Sequence, residues 1–406
     1  MRNLTNKIIT KGAIAALALS AVGATTANAA VVRTAGADRY STANEIFKAW
    51  PTTTDTAVLA AGMGHDVDAL TVAPLAKAKN APVILVDTNA TAASIVAQFA
   101  SFKNVYIANG TGVISPEVET ALTAAGKTVT RLGGVNRTET ALNIAKALGS
   151  ANNIVVANGD DAHLVDTLSI ASIAAAKGMP IFLTSGGSLD SAELAYAQGL
   201  GATNVYALGG TSVVSDASVA GLGTVTRLAG AGRYETNAAV VNAFKADLDL
   251  SNIYVASGED ANLIDALAGA PLAGLKKAPI VFVHNDLNAD VNTLLKGVIN
   301  ANTNIDVLGG TGAVGDLALN AINNIQAPTG SLAVSSVTAI SASSVKVVFN
   351  QAPADKTKVA FTMQRGATPV TVTATWNSGS TEAVLTGASN FSEGTYAVGV
   401  KNDTGN

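Results

Sequence analysis

Residues 33–40 read Arg-Thr-Ala-Gly-Ala-Asp-Arg-Tyr, and the chain repeats this pattern twice. Residues 131–138 read Arg-Leu-Gly-Gly-Val-Asn-Arg-Thr, and residues 227–234 read Arg-Leu-Ala-Gly-Ala-Gly-Arg-Tyr. The three starts lie 98 and 96 residues apart, so one unit occurs three times in tandem. This repetition decides the fold, because each copy is expected to build the same structure.

Three further sequence features occur at equivalent positions in every copy. An aspartate precedes a small residue and a leucine at Asp68, Asp166 and Asp265. Fourteen residues later a proline opens an apolar run, at Pro82, Pro180 and Pro279. A last apolar run ends in a glycine turn at Gly110, Gly210 and Gly310. The copies therefore share one order of elements.

The short apolar runs alternate with Ala- and Leu-rich segments of helical spacing, such as 139–148 and 166–177. Gly178 directly follows the second segment and is a typical helix stop. Continuously apolar strands that alternate with helices indicate a parallel sheet covered on both faces. We therefore predict an α/β fold of three tandem three-layer parallel-sheet modules, with repeats at 30–130, 131–226 and 227–326.

The composition excludes several classes of protein. The chain has 406 residues, of which 48% are hydrophobic and none is cysteine, so disulfides, thiolate catalysis and Cys-ligated zinc are excluded. A formal net charge of −4 argues against the basic surface that nucleic acid requires. Beyond the N-terminus no apolar run is long enough to span a bilayer, although the mean hydropathy is +0.34.

Residues 1–29 have the pattern of a secretory signal peptide. Lysines and an arginine precede an apolar run at 13–24, and Ala27-Asn28-Ala29 fits a small-x-small cleavage site. We predict cleavage between Ala29 and Ala30, which makes the mature protein a secreted one.

The amino-acid composition and the hydrophobic pattern change after residue 326, where a Pro- and Gly-containing linker begins. Residues 345–349, 370–376 and 396–400 alternate like strands and are separated by turn residues. We predict a linker and a small all-β immunoglobulin-like domain over 327–406 that serves as a spacer.

Arginine placement is the strongest sign of a site. After the signal peptide the chain has seven arginines, and six of them occupy two equivalent repeat positions: Arg33, Arg131 and Arg227 come first, and Arg39, Arg137 and Arg233 come second. The seventh, Arg365, lies in the β domain. The guanidinium suits carboxylate and phosphate, which indicates an anion site used three times. Alternatively, each arginine pairs with the aspartate of its own repeat and holds a loop to a helix start. The two roles can also be combined, with one arginine of each repeat structural and the other facing a ligand.

Two aromatic residues, Tyr40 and Tyr234, follow the second arginine, while Thr138 stands there in the middle copy. A tyrosine beside a cation is a common sugar contact, and a partly buried packing role is an equal alternative. His65 and His163 share a repeat position with Asn262, which indicates a common hydrogen-bonding role rather than metal ligation or general-base catalysis. His284 has no equivalent in the other copies.

Three further patterns carry no chemistry of their own. Residues 310–315 match a dinucleotide-binding glycine motif, but the other copies do not keep it, so we predict only a tight turn. The acidic pairs 160–161 and 259–260 lack the features of a calcium loop, and we predict helix N-caps. Since no separate catalytic constellation is present, we expect no enzyme activity, no cofactor and no metal.

Taken together, the R-x-x-G-x-x-R motif, the Asp-Ala/Thr-Leu helix start, the Pro-led strand and the Gly-Gly-Thr turn resemble the clostridial-type cell-wall-binding repeat, second class. The resemblance covers about residues 31 to 326, although the family's Pro-Ile-Leu-Leu strand is varied in all three copies. It implies a pseudo-threefold arrangement of the modules. It also implies non-covalent attachment to an anionic cell-wall polysaccharide or teichoic-acid-like polymer at the surface of a Gram-positive bacterium, with other surface-layer subunits as possible neighbours.

We therefore expect a cell-surface anchor that binds a repetitive polymer at three similar places. A wall-modifying enzyme with an atypical site and a structural surface-layer lattice protein stay as alternatives. The residues expected to contact the polymer are Arg33, Arg39, Tyr40, Asp68, Arg131, Arg137, Asp166, Arg227, Arg233, Tyr234 and Asp265.

Overall fold

The computed structural model describes residues 4–10, 31–62, 69–300, 302–326, 334–350, 352–353, 355–365, 368–377, 381–392 and 394–402. These residues form two compact units. One lies within Ala29–Ala321, and the other lies within Met1–Asn28 and Ile322–Asn406. Asp68, His65 and the predicted cleavage site at Ala29 and Ala30 lie outside the described residues, so the predictions made for them stay predictions.

The elements alternate as predicted through the repeats. After β1 (Leu4–Thr10), which belongs to the second unit, they are β2 (Val31–Thr34), α1 (Arg39–Lys48), β3 (Thr56–Ala61), α2 (Ala73–Ala78), β4 (Val83–Val86), α3 (Ala92–Gln98), β5 (Asn104–Ile107), α4 (Pro116–Ala124), β6 (Thr128–Arg131), α5 (Arg137–Leu148), β7 (Asn153–Asn158), α6 (Leu164–Lys177), β8 (Ile181–Thr184), α7 (Ser191–Leu200), β9 (Asn204–Leu208), α8 (Asp216–Val219), β10 (Thr224–Leu228), α9 (Arg233–Phe244), β11 (Asn252–Ser257), α10 (Leu263–Leu275), β12 (Ile280–Val283), α11 (Ala289–Val298), β13 (Asn304–Leu308) and α12 (Asp316–Gln326).

These strands form three parallel four-stranded sheets, which we call modules 1, 2 and 3. Their strand orders are β4-β3-β5-β6, β8-β7-β9-β10 and β12-β11-β13-β2. The fourth strand of each sheet comes from the start of the next repeat, and module 3 takes β2 from the first repeat, with Val31 opposite Ile305. The chain thus closes a ring of three modules in a pseudo-threefold arrangement.

Local sequence explains where the elements begin and end. The strands that follow the prolines, β4, β8 and β12, are buried along their whole length, as expected for a parallel sheet covered on both faces. The predicted helix at 166–177 is α6, and Gly178 ends it in the left-handed conformation with φ 64°. The predicted helix at 139–148 is α5, which Asn136 caps through the backbone N–H of Glu139.

The helices α2, α6 and α10 lie at equivalent places in the three repeats and meet at the centre of the ring. α2, α6 and α10 pack against one another. Every residue from Val165 to Ala175 and from Leu263 to Gly274 is buried. Helices that are apolar on all sides belong in a core. A Cβ on Gly274 would lie 2.5 Å from the Cβ of Ala175, so this glycine permits the close approach of α10 to α6.

The second unit is a β-sandwich of the predicted immunoglobulin-like class. Its further strands are β14 (Val334–Ser341), β15 (Ser344–Phe349), β16 (Val359–Arg365), β17 (Thr368–Val370), β18 (Val372–Trp376), β19 (Glu382–Gly387) and β20 (Gly394–Asn402). Two antiparallel sheets have the orders β14-β15-β19-β18 and β1-β20-β16-β17. The hydroxyl of Tyr396 donates to the carbonyl of Ser392 at 2.7 Å, the arrangement of a tyrosine corner.

Two features of this unit differ from the sequence interpretation. The single strand predicted over 370–376 is wrong, because the chain leaves one sheet after Val370 and enters the other at Val372. Strands that switch sheets in this way are common at the corners of sandwiches. In addition, β1 lies in the predicted signal peptide and pairs along its whole length with β20, from Leu4 opposite Val400 to Thr10 opposite Gly394.

None of the helices in the described ranges combines the length and the apolar character that crossing a bilayer requires.

Candidate functional site

The first arginine of each repeat is bound to the preceding module. Arg33 donates to the carbonyl oxygens of Gly309 and Val314 at 2.6 and 2.9 Å. Arg227 donates to the carbonyl of Gly209 at 2.8 Å and pairs with Asp216 at 2.6 Å. Gly209 and Gly309 have φ of 89° and 99°, a conformation that favours glycine. These arginines hold the glycine turn of one module against the strand that the next repeat supplies.

Arg131 makes the same type of contact between repeats 1 and 2. It donates to the carbonyl of Asn109 at 2.8 Å and pairs with Glu119 at 2.7 Å. Its side chain is only 12% exposed. All three first arginines are therefore occupied by protein groups where one repeat meets the next, and we call these places seams.

The second arginines hold different loops, those that follow β3, β7 and β11 of their own repeats. Arg39 and Arg233 donate to the carbonyls of Gly62 and Gly258 at 2.8 Å each. Arg137 makes a short hydrogen bond to the carbonyl of Gly159. Side chains of this set keep more contact with solvent, with 33% of Arg137 and 28% of Arg233 exposed.

The buried aspartates face arginines of the next repeat, not of their own. Asp265, in the first turn of α10, is 8% exposed, and the charge that acts on it is Arg39 of the first repeat. Asp166, in the first turn of α6, is likewise influenced by Arg233 of the third repeat. Pairing within one repeat, one of the two alternatives from sequence, is therefore wrong at these two seams. Ring closure is the reason, because it places each helix start beside the following repeat.

Burial raises the pKa of both carboxyl groups. The pKa of Asp265 rises to about 6 through burial, against which the positive charge of Arg39 acts. Burial also raises the pKa of Asp166, while His163 and Arg233 act in the opposite direction. A Cβ on Gly309 would lie 2.3 Å from Oδ2 of Asp265, which places this carboxylate against the glycine turn. Two carboxylates held at such a cost are typical of functional sites.

The aromatic residues pack on glycine. A Cβ on Gly62 would lie 2.3 Å from Cε1 of Tyr40, and one on Gly258 would lie 2.6 Å from Cε1 of Tyr234. Both tyrosines are half-buried, so part of each ring has the packing role that the sequence offers as one alternative. Thr138, in the middle repeat, is buried and donates to Asn136 instead.

The third module has a cluster that the others lack. Glu259 accepts hydrogen bonds from the hydroxyl of Tyr234 and pairs with Nδ1 of His284, the latter at 2.7 Å. Burial, the hydrogen bond to Glu259 and the charge of Glu259 raise the pKa of Tyr234, whereas the hydrogen bonds from Tyr234 and His284 lower the pKa of Glu259. Asp87 and Ser185 follow β4 and β8 where His284 follows β12, so the histidine marks one site of the three.

The acidic pairs do not cap helices through their side chains. Asp160 and Glu259 occupy cap positions but make no cap hydrogen bond. Asp161 and Asp260 pair with Arg137 and Arg233, each at 2.7 Å. The N-cap prediction is thus wrong about the side chains, because nearby arginines and backbone groups compete for them. In the described part of the chain, no group of three or more His, Asp and Glu side chains is placed to hold a metal ion.

At two seams the structure thus brings together a buried aspartate, a glycine turn, two arginines and a half-buried tyrosine. The third seam, between modules 1 and 2, has Arg131, Arg137 and Thr138, and its aspartate lies outside the described residues. Sequence reasoning did not find the exposed partners Asp161 and Asp260 as parts of these sites. The available signal was their position five residues before Asp166 and Asp265, which is the same in both copies.

Three α/β modules that close a ring, with a similar charged site at each seam, define a repeat-built binding domain. The family described as Cell wall binding domain 2 (CWB2) matches residues 33–119, 131–219 and 227–318, and the chain belongs to this family. The CWB2 repeats indicate cell-wall binding.

Relatives and solved structures agree with this assignment. The chain is 31% identical over 302 residues to N-acetylmuramoyl-L-alanine amidase LytC of Bacillus subtilis (strain 168), which covers 73% of this chain and 59% of the relative. It is 34% identical over 261 residues to an amidase enhancer of the same organism, covering 63% of this chain and 35% of that protein. The match therefore spans only part of each relative.

Two solved structures from Clostridium difficile have the same fold. Cwp6 superposes with a TM-score of 0.66 at 29% identity, covering 78% of this chain and 50% of Cwp6. Cwp8 gives a TM-score of 0.65 at 31% identity, covering 73% of this chain and 51% of Cwp8.

Proposed function

We propose that this chain anchors a secreted surface protein non-covalently to an anionic polymer of a Gram-positive cell wall. The observation that carries the proposal is the charge arrangement at the seams: the charge of a partly exposed second arginine acts on the buried aspartate of the preceding repeat. A glycine carbonyl orients each guanidinium through one hydrogen bond, and we assign its other N–H groups to a phosphate or carboxylate of the ligand.

The second arginines are the better candidates for polymer contact. Among the ion-paired arginines, Arg131 and Arg227 are 12% and 23% exposed and are tied to the preceding module, whereas Arg137 and Arg233 are 33% and 28% exposed. We assign the first arginines to holding the ring together and the second arginines to the ligand. Tyr40 and Tyr234, which follow these arginines in the chain and are half-buried, are assigned to contact with the sugar rings of the polymer.

Three moderate sites on one rigid ring suit a repetitive polymer. When one site is occupied, the next polymer unit is held at high effective concentration near the next seam. The alternative with a specific observation behind it is wall modification, since one relative is named an amidase. We favour binding without catalysis, because the seam residues vary between Tyr and Thr and between His and Asn from copy to copy.

Sedimentation with purified cell walls tests the anchor. The protein should sediment with walls that keep their anionic polymer and should stay in solution with walls from which the polymer has been extracted. Equal sedimentation with both preparations would contradict the proposal. Zymography on peptidoglycan tests the alternative, and a cleared zone would establish an enzyme. Electron microscopy of the purified protein tests the lattice alternative, for which ordered two-dimensional arrays are required.

A further inference from the structure

A cleft in the second unit has no role in the proposed anchoring. Its volume is about 840 Å³. The end of β16, strand β17, the last residue of β19, the loop 388–392 and the start of β20 line it. This size lies in the range of small-molecule sites in proteins.

Arg365 is the charged group of this cleft. It lies opposite Thr368 on β17 and opposite Tyr396 on β20, and it is exposed. Each of the six repeat arginines donates to a backbone carbonyl: that of Gly309, Gly62, Asn109, Gly159, Gly209 or Gly258. The exposed guanidinium of Arg365 has the planar fork that suits a carboxylate or a phosphate.

The apolar wall of the cleft is fixed in position. The ring centroids of Phe391 and Tyr396 lie 5.5 Å apart, and the hydroxyl of Tyr396 is bound to the carbonyl of Ser392. A Cβ on Gly387 would lie 2.6 Å from Cε1 of Phe391, so this glycine makes room for the aromatic ring. The loop is therefore held before any ligand arrives, which lowers the entropic cost of binding.

We propose that this cleft binds a pyranose that carries an anionic substituent, as a second carbohydrate site separate from the module seams. Arg365 pairs with the carboxylate or phosphate through two parallel hydrogen bonds. The C–H face of the sugar packs on Phe391, and the exposed Ser389 and Asn390 bind its hydroxyl groups. The β unit then contributes binding of its own rather than acting only as the spacer that its sequence predicts.

Calorimetric titration of the full chain with D-glucuronate, glucose 6-phosphate and glucose tests this site. Because the seams also carry arginines, the titration is made in the background R39Q/R137Q/R233Q. We expect at least one of the two acids to bind about tenfold more tightly than glucose, and R365Q to remove this difference. Lys358→Gln, which removes an exposed charge of the same unit that does not line the cleft, should leave it unchanged.

The preferred acid identifies the anionic group as a carboxylate or a phosphate. Ser389→Trp, which fills the cleft from an exposed loop position and keeps Arg365, should abolish binding of both acids. Equal affinity for glucose and both acids, or unchanged acid binding in R365Q, would overturn the proposal. Failure here leaves wall sedimentation through the seams intact, so the two proposals are tested separately.

Discussion

At the seams, the sequence predicts which residues take part but not which of them pair with one another. The two arginine positions, the tyrosines and the aspartates follow from the repeat alone, because each recurs at the same place in the pattern. The pairing of these residues does not follow from the repeat, because Asp265 is influenced by Arg39, which is more than 200 residues away along the chain. Only the ring closure brings these two residues together.

The exposed carboxylates at the seams should compete with a polymer for the second arginines. Asp161 and Asp260 are 81% and 71% exposed and pair with Arg137 and Arg233. We predict that D161N/D260N binds wall polymer about two- to tenfold more tightly, because each guanidinium loses a competing anion. Titration of the protein with extracted polymer measures this. D55N/D247N is the control, because it removes two exposed carboxylates that pair with Lys103 and Lys177 instead of a seam arginine. Equal gains in both double variants would show a general charge effect only.

The buried carboxyl group of Glu193 is not among the residues that the sequence singles out. Glu193 is fully buried, accepts from the backbone N–H of Leu183 at 3.2 Å and has a pKa raised by burial to about 8. The ordinary pKa of a glutamate side chain is 4.5. The favourable contribution of Glu193 to the stability of the fold is therefore complete below about pH 4.5 and is lost as the pH rises through about 8.

Glu193→Gln should therefore flatten the pH dependence of stability. We predict that E193Q gains on the order of 3 kcal/mol in unfolding free energy relative to the wild type between pH 5 and pH 9, because the amide never ionises. Urea unfolding at both pH values measures the change. Glu117, a carboxylate in the first turn of α4, is exposed, and E117Q should follow the wild type. Parallel curves for E193Q and the wild type would show that this carboxyl is not buried as described.

At the level of elements, periodicity and Pro and Gly positions predict most of the strands and helices of the repeats. The failure at 370–376 has a clear physical cause, since alternation of side chains continues across a sheet switch and contains no sign of it. Similarly, the run of small residues in α10 indicates a buried helix but not its partner. The contact with α6 requires the absence of a side chain at Gly274.

Gly274→Ala tests this helix contact. The added methyl group would lie 2.5 Å from the Cβ of Ala175 and 3.0 Å from the carbonyl oxygen of Ser172, so the two helices must separate. We predict a loss of about 1–3 kcal/mol of unfolding free energy, measured by urea denaturation. Gly199→Ala in α7 is the matched control, because its Cβ meets no atom within 4 Å, and it should raise stability by up to about 1 kcal/mol. Stabilisation by both substitutions would contradict the close packing of α6 and α10.

At the scale of the repeat unit, the ring explains why three copies are used together. Each module lacks its fourth strand until the next repeat supplies it, and each proposed site is shared by two repeats. The family resemblance predicts the threefold arrangement, whereas the placement of β2 in module 3 depends on a pairing of distant strands that local patterns do not reveal. The proposed anchoring therefore requires the closed ring rather than one repeat.

Sedimentation of R39Q/R137Q/R233Q with polymer-containing cell walls tests the central claim most directly. We predict that the triple variant folds, as judged by circular dichroism, and loses most of its wall binding and most of the salt dependence of that binding. K48Q/K103Q/K296Q, which removes three exposed lysines from the same unit, should sediment like the wild type. Wild-type sedimentation by a folded arginine triple variant would contradict the account and would make these arginines structural.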